Sequence, residues 1–565
     1  MQMWGYGSRT EEEAEIHSPF SRTSIMIEGL IQTGSQSLLS VFAPAIAFSA
    51  ISAVLWAIIR LVRNDPKKAQ YKTIPGPKGL IPWVGPIFQL PSTNVYKKFA
   101  DWHDEYGPIY QLTLFGTKHI RINSEKMAQD LLAKRGAYYS NRAPTPNIPG
   151  AKTDAEYLPL LDNNEALTRH RKFAHECFAK TYNYDMYGFT HLEIKRMMYQ
   201  LKRDNRNYPR LAEEFTHRVS ARLAWEDASL STALNKSSSG LLSAISPAGQ
   251  LPNKLPIIML LPNVLNPWYW REKKRHDAQR EFWVGAMKAV KSKMEAGIDG
   301  YSWSRTFLQE QKRLKFPSGV QDDKEGAFAV GMLAITASLP MSSPIQTFFL
   351  AMCHYPQWQK KLQEEIDEVC GPNRLPTWAD APKLPILRAV GKELIRWRPP
   401  VPTGVPHEAE RDDVYDGYLI EKGTLVHATE WARRSDEALY PNPEEFNPDR
   451  YLNPKYPTYK EPLTKYPNVI NHHVFGYGRR NCMGMEIVDY QLVTIMGSLA
   501  WAFDVSKKKN KIGVDIPVHV SDWTDLLITR PAPFVFDIKP RDEHKAKLID
   551  TMFEEAVMES ADLAL

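Results

Sequence analysis

Among the residues of this 565-residue chain that can carry chemistry, Cys482 has the most informative setting. It lies in Phe475-Gly-Tyr-Gly-Arg-Arg-Asn-Cys-Met-Gly484, a glycine-rich loop leading into the helix-like run MEIVDYQLVTIMGSLAWAF. Backbone N–H groups and the positive end of such a helix stabilise a thiolate and can hydrogen-bond its sulfur. Gly476, Gly478 and Gly484 allow positive φ and a close approach to a flat partner. The other cysteines, Cys177, Cys353 and Cys370, are far apart and form no C-x-x-C pair. That excludes a disulfide scaffold and a zinc ribbon, and fits a reducing compartment. A lone cysteine is by default a small buried hydrophobe, so the loop singles out Cys482, not the thiol itself. A second constellation is Glu393-Leu-Ile-Arg396, whose i,i+3 spacing sets both charges on one helix face. Taken alone, such a pair is most often solvated surface.

The elements that must position these residues are mostly helical. From about Asn94 onward 3.6-residue periodicity dominates, as in RHDAQREFWVGAMKAVKSKMEAG and WQKKLQEEIDEVCG. Strand-like pieces are short and gather in HEAERDDVYDGYLIEKGTLVHAT, where Asp416-Gly417 reads as a turn. The expected class is mainly α with a small β region. Hydrophobic residues at 43% and charged residues at 24% exclude wholesale disorder. Lys+Arg number 71 against 65 Asp+Glu, interspersed, so the net charge of +6 does not mark a nucleic-acid binder. The last stretch, KLIDTMFEEAVMESADLAL, reads as a weak amphipathic helix.

Leu38 to Ile59 carries no charged residue. A helix of that length reaches about 33 Å, enough for a hydrocarbon core of ~30 Å. Glu11, Glu12, Glu13 and Glu15 precede it, and Arg60, Arg63, Lys67, Lys68 and Lys72 follow. The positive-inside rule puts the long C-terminal part in the cytosol. The expected division is a luminal tail (1–37), a transmembrane helix (38–60), a basic and proline-rich hinge (61–93), a catalytic domain (94–545) and a C-terminal tail (546–565).

The pattern Phe475-x-x-Gly478-x-Arg480-x-Cys482-x-Gly484 resembles, at every fixed position, the heme-binding loop of the cytochrome P-450 family. The resemblance implies the fold of that family and heme b (iron protoporphyrin IX) as cofactor. It implies Cys482 as axial metal ligand, with Phe475 and Gly484 in the loop around it and Arg480 on a heme propionate. An axial thiolate pushes electron density into the iron and favours O–O cleavage. Glu393-Leu-Ile-Arg396 resembles the family's Glu-x-x-Arg motif, and FNPDRY the segment that supplies a third member, Arg450. Together they imply a buried ionic knot bracing the heme-loop side. LTRHRKFAH is similar to the helix whose arginine, here Arg171, binds a propionate; Leu167 stands where the family often has Trp. His407, in GVPHEAERDD, matches another propionate-side position. The resemblance runs from about residue 70 to about residue 540, with fungal-type spacing.

The pattern breaks upstream of Pro356. The family's acid–threonine pair on the distal heme face falls on Leu339 and Pro340. Pro340 has no N–H and its ring clashes with the carbonyl of Thr336, so the helix should still kink there. Neither residue can donate a proton, and a lost relay costs ~10²–10⁴-fold in such a step. The nearest replacements are Thr336 and Ser338, or a hydroxyl on the substrate; Ser342 and Ser343 more naturally bond backward to carbonyls.

The resemblance thus implies an endoplasmic-reticulum, single-pass, heme-thiolate monooxygenase acting on a hydrophobic small molecule, a fungal secondary-metabolite intermediate. The loop between Asn141 and Glu165 and the helix near Leu333–Met341 should line its pocket. No G-x-G-x-x-G fingerprint appears, so electrons must come from NADPH–cytochrome P-450 reductase, with cytochrome b5 as a second donor. Arg169, Lys172 and Arg479 are expected to face such an acidic flavoprotein. Two other readings stay open. The Leu339-Pro340 break suits a heme isomerase, dehydratase or rearranging enzyme without oxygen activation. An inert heme-binding membrane protein would also keep the loop and the ionic triad.

Overall fold

The computed structural model describes residues 70–183, 188–312 and 319–565. The transmembrane expectation at 38–60, the luminal tail and the start of the hinge lie outside the described residues. Residues 73–416 and 420–565 form one compact unit. In the other unit, the Lys72 N–H donates to the Gly417 carbonyl (2.8 Å).

The helical periods of the sequence appear as α1 (Val95–Tyr106), α2 (Glu165–Asn183), α3 (Gly188–Arg203), α4 (Tyr208–Trp225), α5 (Ser231–Ile245), α6 (Pro267–Glu295) and α7 (Trp303–Lys312). They continue as α8 (Asp323–Ser338), α9 (Ser342–His354), α10 (Pro356–Cys370), α11 (Pro385–Trp397), α12 (Met485–Ala502) and α13 (Glu543–Glu559). The β content is small, as expected. Strands β1 (Ile109–Leu114), β2 (Thr117–Ile122), β3 (Asn141–Arg142), β4 (His407–Glu408) and β5 (Leu425–Ala428) form one sheet in the order β1-β2-β5-β4-β3. Strands β6 (Phe503–Lys507) and β7 (Phe536–Pro540) pair separately.

The core runs along α8 and α9. Their combined stretch, Asp323–His354, has a mean hydropathy of 1.4 in its most apolar window, enough by composition to cross a membrane. Yet 83% of that window is buried inside the protein, so it is the central helix of the body. It breaks as Pro340 dictates: α8 ends at Ser338 and α9 restarts at Ser342.

Two expected boundaries change. The second half of the hinge is laid against β1, where Gln111 N–H donates to the Pro75 carbonyl and Gly116 N–H to that of Trp83 (both 2.8 Å). A Cβ on Gly76 or Gly85 would collide with the carbonyls of Gln111 and Thr113, so glycine is what lets the chain lie so close. Nor are residues 546–565 a tail. Helix α13 begins at Glu543, capped by the Asp542 side chain, which accepts from Lys545 N–H (2.7 Å). It packs on α3, with Phe553 stacked on Tyr199 at 4.1 Å. Past its end, the Asp562 carboxylate takes Arg222 (2.6 Å) and its carbonyl takes Arg218 (2.9 Å), the two arginines that clamp buried Glu193.

Candidate heme-binding and catalytic site

Of the three glycines in the Cys482 loop, Gly484, at φ −89°, does not take the positive φ its type allows. Gly476 and Gly478 both take positive φ, and a Cβ on Gly478 would strike the carbonyl of Leu132. The Cys482 N–H donates to the Phe475 carbonyl (2.7 Å), closing the loop on itself. Gly484 caps α12 and points its N–H at the Cys482 Sγ (3.4 Å). Arg171 of α2 donates to the Asn481 carbonyl (3.1 Å) and side chain (3.0 Å), bracing the residue before the cysteine. Cys177, Cys353 and Cys370 are buried, whereas Cys482 is accessible. Burial pushes the Cys482 thiol up, more than Gly484 N–H and Arg171 pull it down. A helix end and one cation therefore do not by themselves make the thiolate, and a bound metal cation is what would hold it.

Beside this sulfur Arg142, Arg171 and Arg480 gather with the His407 imidazole; Asp162 and Glu410 act on Arg480 from nearby, but among the described residues no carboxylate forms an ion pair with any of the three arginines. Arg480 is buried and donates to the carbonyls of Ser140 (2.7 Å) and Leu161. His407 on β4 faces Arg142 across the β3–β4 pair, and its Nδ1 lies 2.7 Å from the Tyr139 carbonyl. Burial drives His407 down to about 3 and Arg480 to about 10, and burial with Arg480 and Arg171 drives Arg142 well below its usual value. Buried cations that depress one another call for an anionic partner. An accessible cysteine between glycines beside a cluster of buried arginines fits heme b: Cys482 would hold the iron, and Arg142, Arg171 and Arg480 would meet the propionates. Leu167, buried and apolar, has no side-chain group to offer a propionate. Arg142 was not among the sequence candidates: nothing in its local sequence marks it, and only the β3–β4 pairing brings it to His407.

The structure brings Glu393, Arg396 and Arg450 together with no exposed surface. Arg396 grips the Glu393 carboxylate with Nε and Nη2 (2.8 Å each), and Arg450 Nε reaches it at 3.1 Å. The spare guanidinium N–H groups go to the carbonyls of Arg434, Pro443, Asn442 and Glu445. This knot fixes the chain that carries the Cys482 loop.

On the other side, the structure separates the hydroxyl candidates. Thr336 is exposed although its neighbours Leu333, Ala334 and Ile335 are buried, so its side chain meets solvent-accessible space. Its Oγ1 donates to the Met332 carbonyl (2.9 Å) or that of Leu333 (3.2 Å), and Pro340 leaves the Thr336 carbonyl without its helical donor. Ser338 is fully buried and bonds back to Ala334 (2.9 Å), out of reach of that space. Ser342 and Ser343 are buried as well. Arg169 is not a free surface charge either: it pairs with buried Glu325 of α8 (3.1 Å), whereas Lys172 and Arg479 are exposed.

This geometry agrees with the comparisons to known proteins. The family model for cytochrome P-450 matches residues 74–521, and the chain belongs to that family. Family members bind heme b through a cysteine thiolate and draw electrons from a redox partner. Cytochrome P-450 monooxygenase 253 of Postia placenta is 30% identical over 496 residues, covering 85% of this chain and 91% of that protein. Cytochrome P-450 monooxygenase virE of Hypocrea virens is 29% identical over 513 residues, covering 88% and 90%. A zebra fish cytochrome P-450 structure with abiraterone superposes with a TM-score of 0.62 at 20% identity, over 79% of this chain and all of that one. That likeness speaks for the fold.

Proposed function

We propose that this enzyme is a membrane-anchored monooxygenase in which Cys482 is the axial heme ligand and Arg142, Arg171, Arg480 and His407 hold the propionates. The observation that carries this is the one accessible cysteine set beside Arg142 and Arg480, buried arginines with no carboxylate in ion-pair contact among the described residues. Bound heme supplies dioxygen activation and oxygen transfer. The protein's own residues then have three tasks. Gly484 N–H and Arg171 lower the cost of negative charge on Cys482 Sγ, which a bound iron would hold. Leu339, half-buried at the helix break, presents apolar surface backed by buried Leu333 and Met341, which favours a hydrophobic substrate; the proposed substrate is a secondary-metabolite intermediate. Thr336 takes the place of the missing acid–threonine pair: its hydroxyl donates to Met332, and its freed carbonyl would accept from one O–H of a water and leave that water's second O–H to face the iron side. Such a water can pass protons toward the iron side.

Anchoring rests on the charge-free run at 38–59 and on an apolar surface in the 251–265 stretch, where Leu260 and Val264 are 81% and 82% exposed. NADPH–cytochrome P-450 reductase is the proposed electron donor, with cytochrome b5 assisting, and the endoplasmic reticulum the proposed location. Reduced protein with carbon monoxide should show the red-shifted Soret band of a thiolate heme, and Cys482→Ala should lose heme or that band. Normal spectra in the variant would refute the ligand assignment. The Leu339-Pro340 replacement supports a second reading, a heme rearranging enzyme. Turnover needing NADPH, reductase and dioxygen distinguishes the first from it.

A further inference from the structure

Residues 143–164 link β3 to α2, and their two ends are held from below by the heme-loop side. Arg480 donates to the carbonyls of Ser140, just before the segment, and Leu161, near its end, and Asp162 accepts from Arg142 N–H (3.0 Å). The middle is held from the opposite side by polar contacts to two other helices. Glu156 meets His276 of α6 at 2.8 Å and Lys324 of α8 at 2.6 Å. The Tyr157 hydroxyl accepts from Arg275 (2.7 Å) and donates to Gln279 (3.0 Å), both on α6. Gln279 in turn donates to Ser237 of α5 (2.7 Å). Tyr157 and His276 pack on the same ring, Phe328 of α8, at 5.8 and 5.6 Å. That ring lies about two turns before Thr336.

We propose that residues 143–164 are a lid over the reaction space, latched by Glu156–His276 and Tyr157–Arg275, and that the charge on His276 sets how readily the latch opens. Lys152 ties the first half of the segment to Glu408 of β4 (2.5 Å) and to Asp162 (3.2 Å), so the part that opens when the clasp breaks is the stretch around Glu156 and Tyr157. The clasp is a charge-assisted hydrogen bond while His276 is protonated, and a weaker neutral one otherwise. The groups facing His276 are Glu156 from the lid, Lys324 from α8, and Asp277 and Arg275 on α6 itself. Glu156 raises the histidine's proton affinity above the ordinary value more than burial lowers it. Lys324 keeps a hold on Glu156 in either state, so the lid loosens with rising pH and does not fall open.

The test is the rate at which a bulky triazole, tebuconazole, reaches the iron of the holoenzyme, read by stopped flow as the Soret shift. Carbon monoxide rebinding to the reduced protein is the small-ligand control. The triazole on-rate should rise on the order of fivefold between pH 6 and 8.5, carbon monoxide far less. His276→Gln should be fast and flat across that range, and His276→Arg slow and flat. Amide exchange of residues 150–158 should quicken over the same pH window in the wild type. A His276→Gln enzyme that keeps the wild-type pH profile, or a wild type with none, overturns the proposal. Neither readout involves turnover, so the outcome is independent of the reaction assigned above.

Discussion

Glu393 shows what a single side chain carries here. Its carboxylate is the counter-ion of two arginines, all three without solvent contact. Removing one partner of a buried ion pair leaves charge unbalanced and costs roughly 3–5 kcal/mol. Glu393→Gln leaves Arg396 and Arg450 facing a neutral amide, so the unfolding midpoint should fall steeply and heme retention with it. A variant as stable as the wild type would mean that the carbonyls around the guanidiniums suffice. The Glu-x-x-Arg spacing and the cysteine loop could be read directly from the sequence because each lies within about ten residues. Arg142 and the Glu156–His276 contact could not, because they arise from strands and helices meeting across 100 residues or more.

At the scale of elements, the break between α8 and α9 matters most. Proline at 340 preserves the interruption that the sequence led us to expect, and the one exposed hydroxyl of the 336–343 stretch is that of Thr336. Thr336→Val should therefore leave the carbon monoxide spectrum intact while shifting electron flow from product to peroxide, by about tenfold or more. Thr336→Ser should restore coupling. Equal coupling in the valine variant would assign the proton source to the substrate. Some elements were hidden from pattern reading for a physical reason. The β1–β2 hairpin turns on Phe115-Gly116, with Phe115 at φ 47°, a conformation unfavourable to a large side chain and accompanied by a 5.7 Å contact with Trp83. No turn preference announces it. Helix α13 looked weak because what fixes it is charge on α3 and α4, far away in the chain.

For the whole molecule, buried neutral histidines set the acid limit. Burial lowers His103 and His217 to about 4 and His119 to about 3, and His427 well below its usual value. The unfolded chain protonates these groups near 6.5 and the folded one only at lower pH, so stability should fall as pH drops from 6.5 toward 4. Burial raises Glu365 to about 7 and Asp489 to about 6, which acts in the opposite sense, but two carboxyls oppose four histidines. The urea midpoint should decline below pH 6.5; a midpoint that climbs on acidification would reverse this account. The docking of the chain's last segment has a consequence for biosynthesis. Arg218 and Arg222 find Asp562 only 344 and 340 residues downstream. At ribosomal speeds of about 5–20 residues per second, that delay is roughly 20–70 s. During that interval a nascent three-charge cluster waits half-satisfied, and holdase chaperones are the natural custodians of the unfinished polypeptide.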